Sequence, residues 1–103
     1  MYALGFLLNF VKQRREALDL MVLTLLKEHG PSSWLELVER SKGRLYKGTL
    51  YERLRRMENE KSIKSWMAPQ GVGLPEPFSL RMYDLTDKGR QKLEETDHGR
   101  KNP

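Results

Sequence analysis

The sequence contains no cysteine among its 103 residues and only two histidines, His29 and His98. Without thiols the chain cannot form a disulfide framework, a cysteine-ligated zinc site or a thiol nucleophile. The two histidines lie far apart in the sequence and lack the short spacing of metal ligands. These absences predict a protein that holds no metal, and they fit a reducing compartment such as the cytoplasm.

Long apolar runs are also missing. The apolar stretch Met1–Val11 is shorter than the roughly 20 residues that a membrane-spanning helix needs. Its basic residues follow it, beginning at Lys12, whereas those of a signal peptide precede the apolar run. We therefore expect the segment to belong to the folded protein and expect no membrane partner. A helix that lies on a membrane surface is the alternative reading of this segment.

No catalytic motif is present. Gly71-x-Gly73 lacks the third glycine and the following helix of a dinucleotide fingerprint. The sequence has neither a Walker lysine motif nor a Gly-x-Ser-x-Gly elbow. We predict that the protein is not an enzyme and uses no cofactor.

The positive charge is concentrated in one quarter of the chain. The formal net charge is +5, but the segment from Arg40 to Lys64 holds nine basic and only three acidic residues. The remainder holds ten basic and eleven acidic residues, so the whole excess of positive charge lies in this segment. Such a segment is either a solvated surface or a contact for an acidic partner such as nucleic acid.

Three helices are predicted in the first 60 residues. Apolar residues recur at helical spacing from Leu4 to Leu25, which indicates either one helix over roughly 3–28 or two helices that meet near Lys12–Arg15. A second, short helix starts after Ser33, which forms a capping-box pattern with Glu36. A third spans about 47–60, and its core stripe is Leu50, Leu54 and Met57. The helical repeat directs five of its residues away from that stripe: Gly48, Thr49, Glu52, Arg55 and Arg56.

Two strands and a final helix complete the pattern. Strands are predicted at Ile63–Met67 and Phe78–Leu85, separated by a segment rich in glycine and proline. Thr86 is expected to cap a last helix of about ten residues. The predicted fold is α+β, a winged helix-turn-helix made of a three-helix bundle and a two-stranded β-wing, with an extra N-terminal helical extension. The expected divisions are an extension (1–15), a winged-helix domain (16–96) and a disordered tail (97–103).

The third helix combines an apolar inner stripe with a cationic outer face. The major groove of DNA is about 12 Å wide and admits one α-helix, so double-stranded DNA is the expected partner. Two other hypotheses remain: a winged-helix module that binds an acidic protein surface, and a nonspecific nucleic-acid binder. The candidate DNA contacts, including two at the wing, are Lys47, Gly48, Thr49, Tyr51, Glu52, Arg55, Arg56, Lys64 and Arg81.

Two separated motifs resemble the PadR-like family of transcriptional regulators. Residues 48–58 read GTLYxxLxxME, similar to the recognition helix of that family, and residues 81–89 read RxYxLTxxG, similar to its second wing strand. The resemblance covers about residues 16–95. It implies a homodimeric, sequence-specific repressor whose third helix enters the major groove, and thus a cytoplasmic, nucleoid-associated protein.

The chain departs from the family pattern at two places. Lys61 stands where the family usually has glycine, so this lysine is expected to need left-handed backbone. The family's C-terminal dimerisation segment has no counterpart after Thr96, so we expect the N-terminal helix to mediate homodimerisation instead. Packing of its apolar side chains on the chain's own core is the alternative. The candidate dimerisation residues are Leu4, Phe6, Leu7, Leu8, Phe10 and Val11.

Overall fold

The computed structural model describes the backbone of residues 2–68 and 81–101 and the side chains of residues 12–68 and 81–96. Its fold confirms the predicted α+β class with a winged helix-turn-helix arrangement. The elements, in chain order, are α1 (Tyr2–His29), β1 (Ser32–Ser33), α2 (Trp34–Arg40), α3 (Lys47–Asn59), β2 (Ile63–Met67), β3 (Arg81–Leu85) and α4 (Asp87–Lys101).

Helix α1 is one unbroken helix of 28 residues, so the alternative of two helices is wrong. Residues 12–17 are exposed, and the buried face begins with Asp19, Val22 and Leu23. The helix ends at His29, and the next residue, Gly30, has a φ of 79° and donates its backbone N–H to the carbonyl of Leu26 at 2.8 Å. The expected division between residues 15 and 16 therefore falls inside a continuous helix. The side chains of the candidate dimerisation residues, Leu4 to Val11, lie outside the described part.

The predicted capping box of α2 is confirmed. The backbone N–H of Glu36 donates to Ser33 Oγ at 3.3 Å, and the N–H of Ser33 donates to Glu36 Oε1 at 3.2 Å. Ser32 and Ser33 also pair with Tyr83 and Met82 of β3. The sheet thus has three strands in the order β1-β3-β2, which corrects the expectation of two. A strand of two serines carries neither alternation nor β-branched residues, so nothing in the pattern indicated it.

The wing is built on an antiparallel pair, β2 and β3, in which Ile63 faces Leu85 and Met67 faces Arg81. Lys61, just before β2, has a φ of 69°, which confirms the left-handed backbone expected at this position. Residues 69–80 lie outside the described part of the chain, and so do the start of the second predicted strand and most of the loop before it.

Helix α4 is capped as predicted: Thr86 Oγ1 accepts the backbone N–H of Gly89 at 3.1 Å. The helix has 15 residues rather than about ten, and its backbone continues to Lys101 through most of the segment expected to form a disordered tail. The apolar signal of this helix stops at Leu93, so the pattern did not indicate the later turns.

One hydrophobic core joins all four helices to the sheet. In α3 the predicted stripe is confirmed, since Leu50, Leu54 and Met57 are fully buried. The other buried apolar residues are Val22, Leu23, Leu26, Leu37, Leu45, Ile63, Tyr83, Leu85 and Leu93. No helix in residues 2–68 and 81–101 is long and apolar enough to cross a membrane.

A polar cluster also ties α1 to α3. Asp19, whose side chain is 4% exposed, accepts hydrogen bonds from Arg53 at 2.6 Å and from Arg56 at 2.8 and 2.9 Å. Arg53 also donates to the backbone carbonyl of Arg15 at 3.0 Å. We call Asp19, Arg53 and Arg56 the Asp19 cluster.

The two arginines keep Asp19 ionised. Burial by itself would raise the pKa of this carboxyl group, but the hydrogen bonds and charges of Arg56 and Arg53 together outweigh burial and lower the pKa below 3.8. The Asp19 cluster is therefore a charged contact between α1 and α3 at neutral pH.

We predict that Gly89→Ala destabilises the protein. A Cβ atom on Gly89 would lie 2.1 Å from the backbone carbonyl oxygen of Ser62, so α4 or the turn before β2 must shift. The expected loss is about 1–3 kcal/mol in the free energy of unfolding, measured by urea denaturation. The matched control is Gly48→Ala, where a Cβ meets nothing within 4 Å and helix propensity favours alanine. Equal stability of the natural protein and Gly89→Ala would contradict this close contact.

We also predict a pH-dependent effect of Asp19→Asn. At pH 7 the substitution should lower the free energy of unfolding by about 2–3 kcal/mol, because it removes the charge that two arginines surround. The pKa of Asp19 is lowered in the folded state, so its contribution is complete above the unfolded-state pKa and is lost as the pH falls through the folded-state pKa. The difference between the two proteins should therefore narrow in acid.

Urea denaturation at pH 7 and at successively lower pH measures this difference. Glu94→Gln is the control, since Glu94 is exposed and has no ion-pair partner within the described residues. A difference between the natural protein and Asp19→Asn that stays constant into acid would show that the charge of Asp19 contributes nothing.

Candidate nucleic-acid interface

The outer face of α3 is polar and open to solvent, with Lys47 and Arg55 as its cations and Glu52 as its acid. It lies on the side of the helix opposite the buried stripe. We define the α3 outer face by its exposed candidate residues, which are Lys47, Gly48, Thr49, Tyr51, Glu52 and Arg55.

The N-terminus of α3 has backbone N–H groups without a side-chain cap. The N-cap residue is Tyr46, which makes no capping hydrogen bond through its side chain. Thr49 is not the N-cap; its hydroxyl donates to the carbonyl of Tyr46 at 3.3 Å. Uncapped N–H groups at the start of a helix, together with the helix dipole, favour an anion such as a phosphate.

Lys47 and Gly48 lie beside an aromatic residue of α2. The Nζ atom of Lys47 lies 4.9 Å from the centre of the Trp34 ring, a cation–π contact that orients the lysine. Trp34, Lys47, Gly48 and Tyr51 line a mainly apolar cavity of about 320 Å³. The helix-turn-helix therefore presents both a cation and an apolar surface next to the start of α3.

The two neighbouring arginines of α3 differ in their surroundings. Arg55 is exposed and makes no ion pair with any residue that the structure describes. Arg56 belongs to the Asp19 cluster, and its hydrogen bond to Asp19 raises the pKa of its guanidinium. Its NH1 atom also lies 3.4 Å from Glu60. The expectation that Arg56 points freely outward is therefore corrected, because the helical repeat takes no account of a carboxylate on α1.

A second cavity lies between α3 and β3. It has a volume of about 250 Å³ and is lined by Tyr51, Arg55, Glu58, Arg81 and Tyr83. Arg81 donates to Ser65 Oγ at 3.0 Å, and Ser65 donates in turn to Glu58. Burial raises the pKa of Tyr83, the nearby Tyr51 adds to this effect, and Arg81 opposes it.

The fold thus brings some of the predicted DNA contacts together at one surface and places Lys64 on another. Tyr51 and Arg55 of α3 meet Arg81 of the wing at the second cavity. Lys64 is exposed, but it pairs in register with Asp84 and alternates with Ser65, so it belongs to the opposite face of the sheet. Trp34, Glu58 and Tyr83 complete the two cavities, and Ser65 bonds to both Glu58 and Arg81; none of the four was among the candidates. The contribution of Ser65 depends on strand register, which the sequence pattern does not give.

The residues that the structure describes contain no group of three or more histidine, aspartate or glutamate side chains arranged to hold a metal ion.

Comparison with solved structures finds several PadR-like regulators. A PadR-like transcription factor from Bacteroides fragilis matches with a TM-score of 0.73 and 22% identity, over 88% of this chain and 86% of that chain. A PadR family regulator from Clostridium difficile matches with a TM-score of 0.68 and 27% identity, over 79% and 83%. Bacillus subtilis PadR in complex with operator DNA matches with a TM-score of 0.62 and 27% identity. That match covers 77% of this chain but only 45% of the Bacillus subtilis protein.

A comparison with curated protein sequences found no significant match. A scan against protein-family models matched the transcriptional regulator PadR-like family over residues 20–95, a span that includes both motifs on which the resemblance was based. Because this match covers well over half of the sequence, the chain belongs to the transcriptional regulator PadR-like family.

Proposed function

We propose that this protein is a transcriptional repressor that binds specific sequences of double-stranded DNA as a homodimer, with α3 in the major groove. The observation that carries the proposal is the α3 outer face, which is exposed while the opposite side of the same helix is anchored in the core. A helix that reads DNA needs both properties.

Sequence would be read by side chains near the middle of the α3 outer face. Arg55 can donate two hydrogen bonds to guanine, Glu52 can accept one from cytosine, and Thr49 can contact either a base or a phosphate. Their exposure leaves these groups available to a partner. Arg56 is left out of this proposed interface, because its guanidinium is bonded within the Asp19 cluster.

The flanking groups would hold the DNA backbone. Lys47, Gly48 and the uncapped N–H groups of α3 suit one phosphate, and Tyr51 with Arg81 suits another at the cavity between α3 and β3. Lys64 would reach the backbone only from the other face of the wing. The wing segment 68–80 contains neither lysine nor arginine, so we expect it to add little to phosphate binding.

The structural relatives support DNA as the partner. The Bacillus subtilis relative is a PadR bound to operator DNA, and it shares 27% identity with this chain in a match that covers 77% of this chain. A bound regulator represses when it occupies the site that the transcription machinery needs. This function would also associate the protein with the nucleoid in the cytoplasm.

Dimerisation is proposed through the N-terminal half of α1. Leu4, Leu8 and Val11 have helical spacing on a backbone that is helical from Tyr2 onward. Among the side chains that the structure describes on α1, residues 12–17 are exposed and apolar packing on the domain starts at Leu18. A second copy is therefore a suitable partner for the apolar residues of the first turns. The dimer should hold two copies of α3 about 34–36 Å apart, one helical turn of DNA.

We predict that Arg55→Ala weakens binding to a preferred duplex by about 1–3 kcal/mol and reduces discrimination against a scrambled duplex. Fluorescence anisotropy on duplexes selected from random DNA measures both effects. Arg90→Ala is the matched control, because it removes the same charge from an exposed position on α4. An equal loss on every duplex would make Arg55 a phosphate contact, and no loss would remove it from the interface.

The same titration tests specificity itself. If scrambled DNA competes with the selected duplex at equal efficiency, the protein is a nonspecific binder. If the protein binds no duplex, the result favours the alternative hypothesis of a module that binds another protein.

We predict that Leu8→Asp converts a dimer to a monomer, because a carboxylate cannot be buried in an apolar contact without a large desolvation cost. Sedimentation measures the mass in solution, with Gln13→Asp as the control at an exposed position of the same helix. A monomeric natural protein would contradict the proposed dimer. Loss of the folded domain in Leu8→Asp, seen by circular dichroism, would instead favour packing on the chain's own core.

A further inference from the structure

Helix α3 carries three arginines, and among the residues that the structure describes only Arg55 makes no ion pair. Arg53 and Arg56 are one turn apart, and both donate to the same carboxylate, Asp19 on α1. Arg56 also pairs with Glu60 at 3.4 Å. Two positive and two negative charges thus compensate one another within the protein, while Arg55 remains exposed.

The backbone does not force Arg56 inward. Thr49, Glu52 and Arg56 follow the helical repeat i, i+3, i+7, and the first two are exposed on the α3 outer face. Arg56 starts from the edge of that face, and its long side chain turns back toward α1. The groups that receive it are the two oxygens of Asp19, at 2.8 and 2.9 Å. The direction of the Arg56 side chain is therefore determined by Asp19, which lies 37 positions earlier in the chain.

Arg53 and Arg56 differ in how firmly they are held within the Asp19 cluster. The side chain of Arg53 is 13% exposed and has a second acceptor in the carbonyl of Arg15. The side chain of Arg56 is 29% exposed and lies at the edge of the cluster. If the carboxylate were absent, Arg56 could rotate into solvent at little cost, whereas Arg53 would stay beside α1.

We propose that Asp19 is a specificity-determining positioning residue, which holds Arg56 against α1 and so keeps a phosphate-binding cation off the DNA. This inference rests on the proposed function. An added arginine–phosphate contact strengthens binding to every sequence, because phosphates carry no sequence information. By withholding one such contact, Asp19 leaves a larger share of the binding energy to the residues that read bases.

The number of phosphate contacts is measured by the dependence of binding on salt. Each contact contributes about 0.9 to the slope of log K against log salt concentration. Anisotropy titrations from about 50 to 200 mM salt, on a selected duplex and a scrambled duplex of equal length, give this slope for each variant. A side chain that only stabilises the fold changes the melting temperature but leaves the slope unaltered.

The first variant is Arg56→Gln in the natural sequence. It keeps a long polar side chain at a position that is already partly exposed, so the domain should still fold. Because Arg56 is held off the DNA, the slope should equal that of the natural protein, whereas Arg55→Gln should reduce it by about 0.9 if Arg55 contacts a phosphate. A slope that falls by about 0.9 in Arg56→Gln would overturn the proposal, since Arg56 would then contact DNA.

The second variant, Asp19→Asn, should release Arg56. We expect binding to the scrambled duplex to become roughly 3- to 10-fold tighter and the slope to become steeper by about 0.9, with a smaller gain on the selected duplex. Adding Arg56→Gln to Asp19→Asn should return the slope to its natural value. Glu94→Gln controls for the change in net charge, because it replaces an exposed carboxylate on α4.

The outcomes separate the two proposals. If Asp19→Asn folds, as judged by its melting curve, and its slope is unchanged, Asp19 is only a structural contact and the inference fails. If Asp19→Asn does not fold, a fall of about 0.9 in the slope of Arg56→Gln still overturns the inference. If the natural protein binds no DNA, the proposed function fails and the inference fails with it. If it binds DNA but Arg56→Gln lowers the slope, only the inference fails.

Discussion

The burial of one apolar stripe determines how this protein meets its surroundings. Leu50, Leu54 and Met57 insert from α3 into the hydrophobic core, which also takes in residues of α1, α2, α4 and the sheet. Because the stripe occupies one side of a regular helix, it fixes the side from which every other α3 side chain starts, although a long side chain such as that of Arg56 can still turn back. The exposed face is therefore a consequence of the core.

Ion pairs within the protein further determine which of the basic side chains of this segment are available to a partner. The basic segment from Arg40 to Lys64 looks uniform in the sequence, yet its members have different partners in the fold. Lys47 lies over an aromatic ring, Arg56 is bonded to a buried carboxylate, and Arg55 stays exposed. Net charge overstates the cationic surface that such a helix offers, because part of it is neutralised inside the protein.

Much of the fold could be predicted from local signals. The capping box at Ser33, the cap at Thr86 and the stripe of α3 depend on residues close together in the chain, and all three are present. The left-handed backbone of Lys61, which was expected from the family resemblance, is present as well. Features that depend on distant residues were missed. Strand β1 exists only because β3 is available for pairing, and the direction of Arg56 depends on Asp19. In the candidate site, exposure could be read from the helical repeat, but strand register and long-range pairing could not.

The continuity of α1 has a mechanical consequence. A straight helix of 28 residues is about 42 Å long, and this one carries the apolar first turns at one end and Asp19 nearer its middle. Since no break separates the two regions, a change in the direction of the first turns would pass along the helix to the carboxylate that binds Arg53 and Arg56. A contact that fixes the start of α1 would therefore also restrain α3 through Asp19.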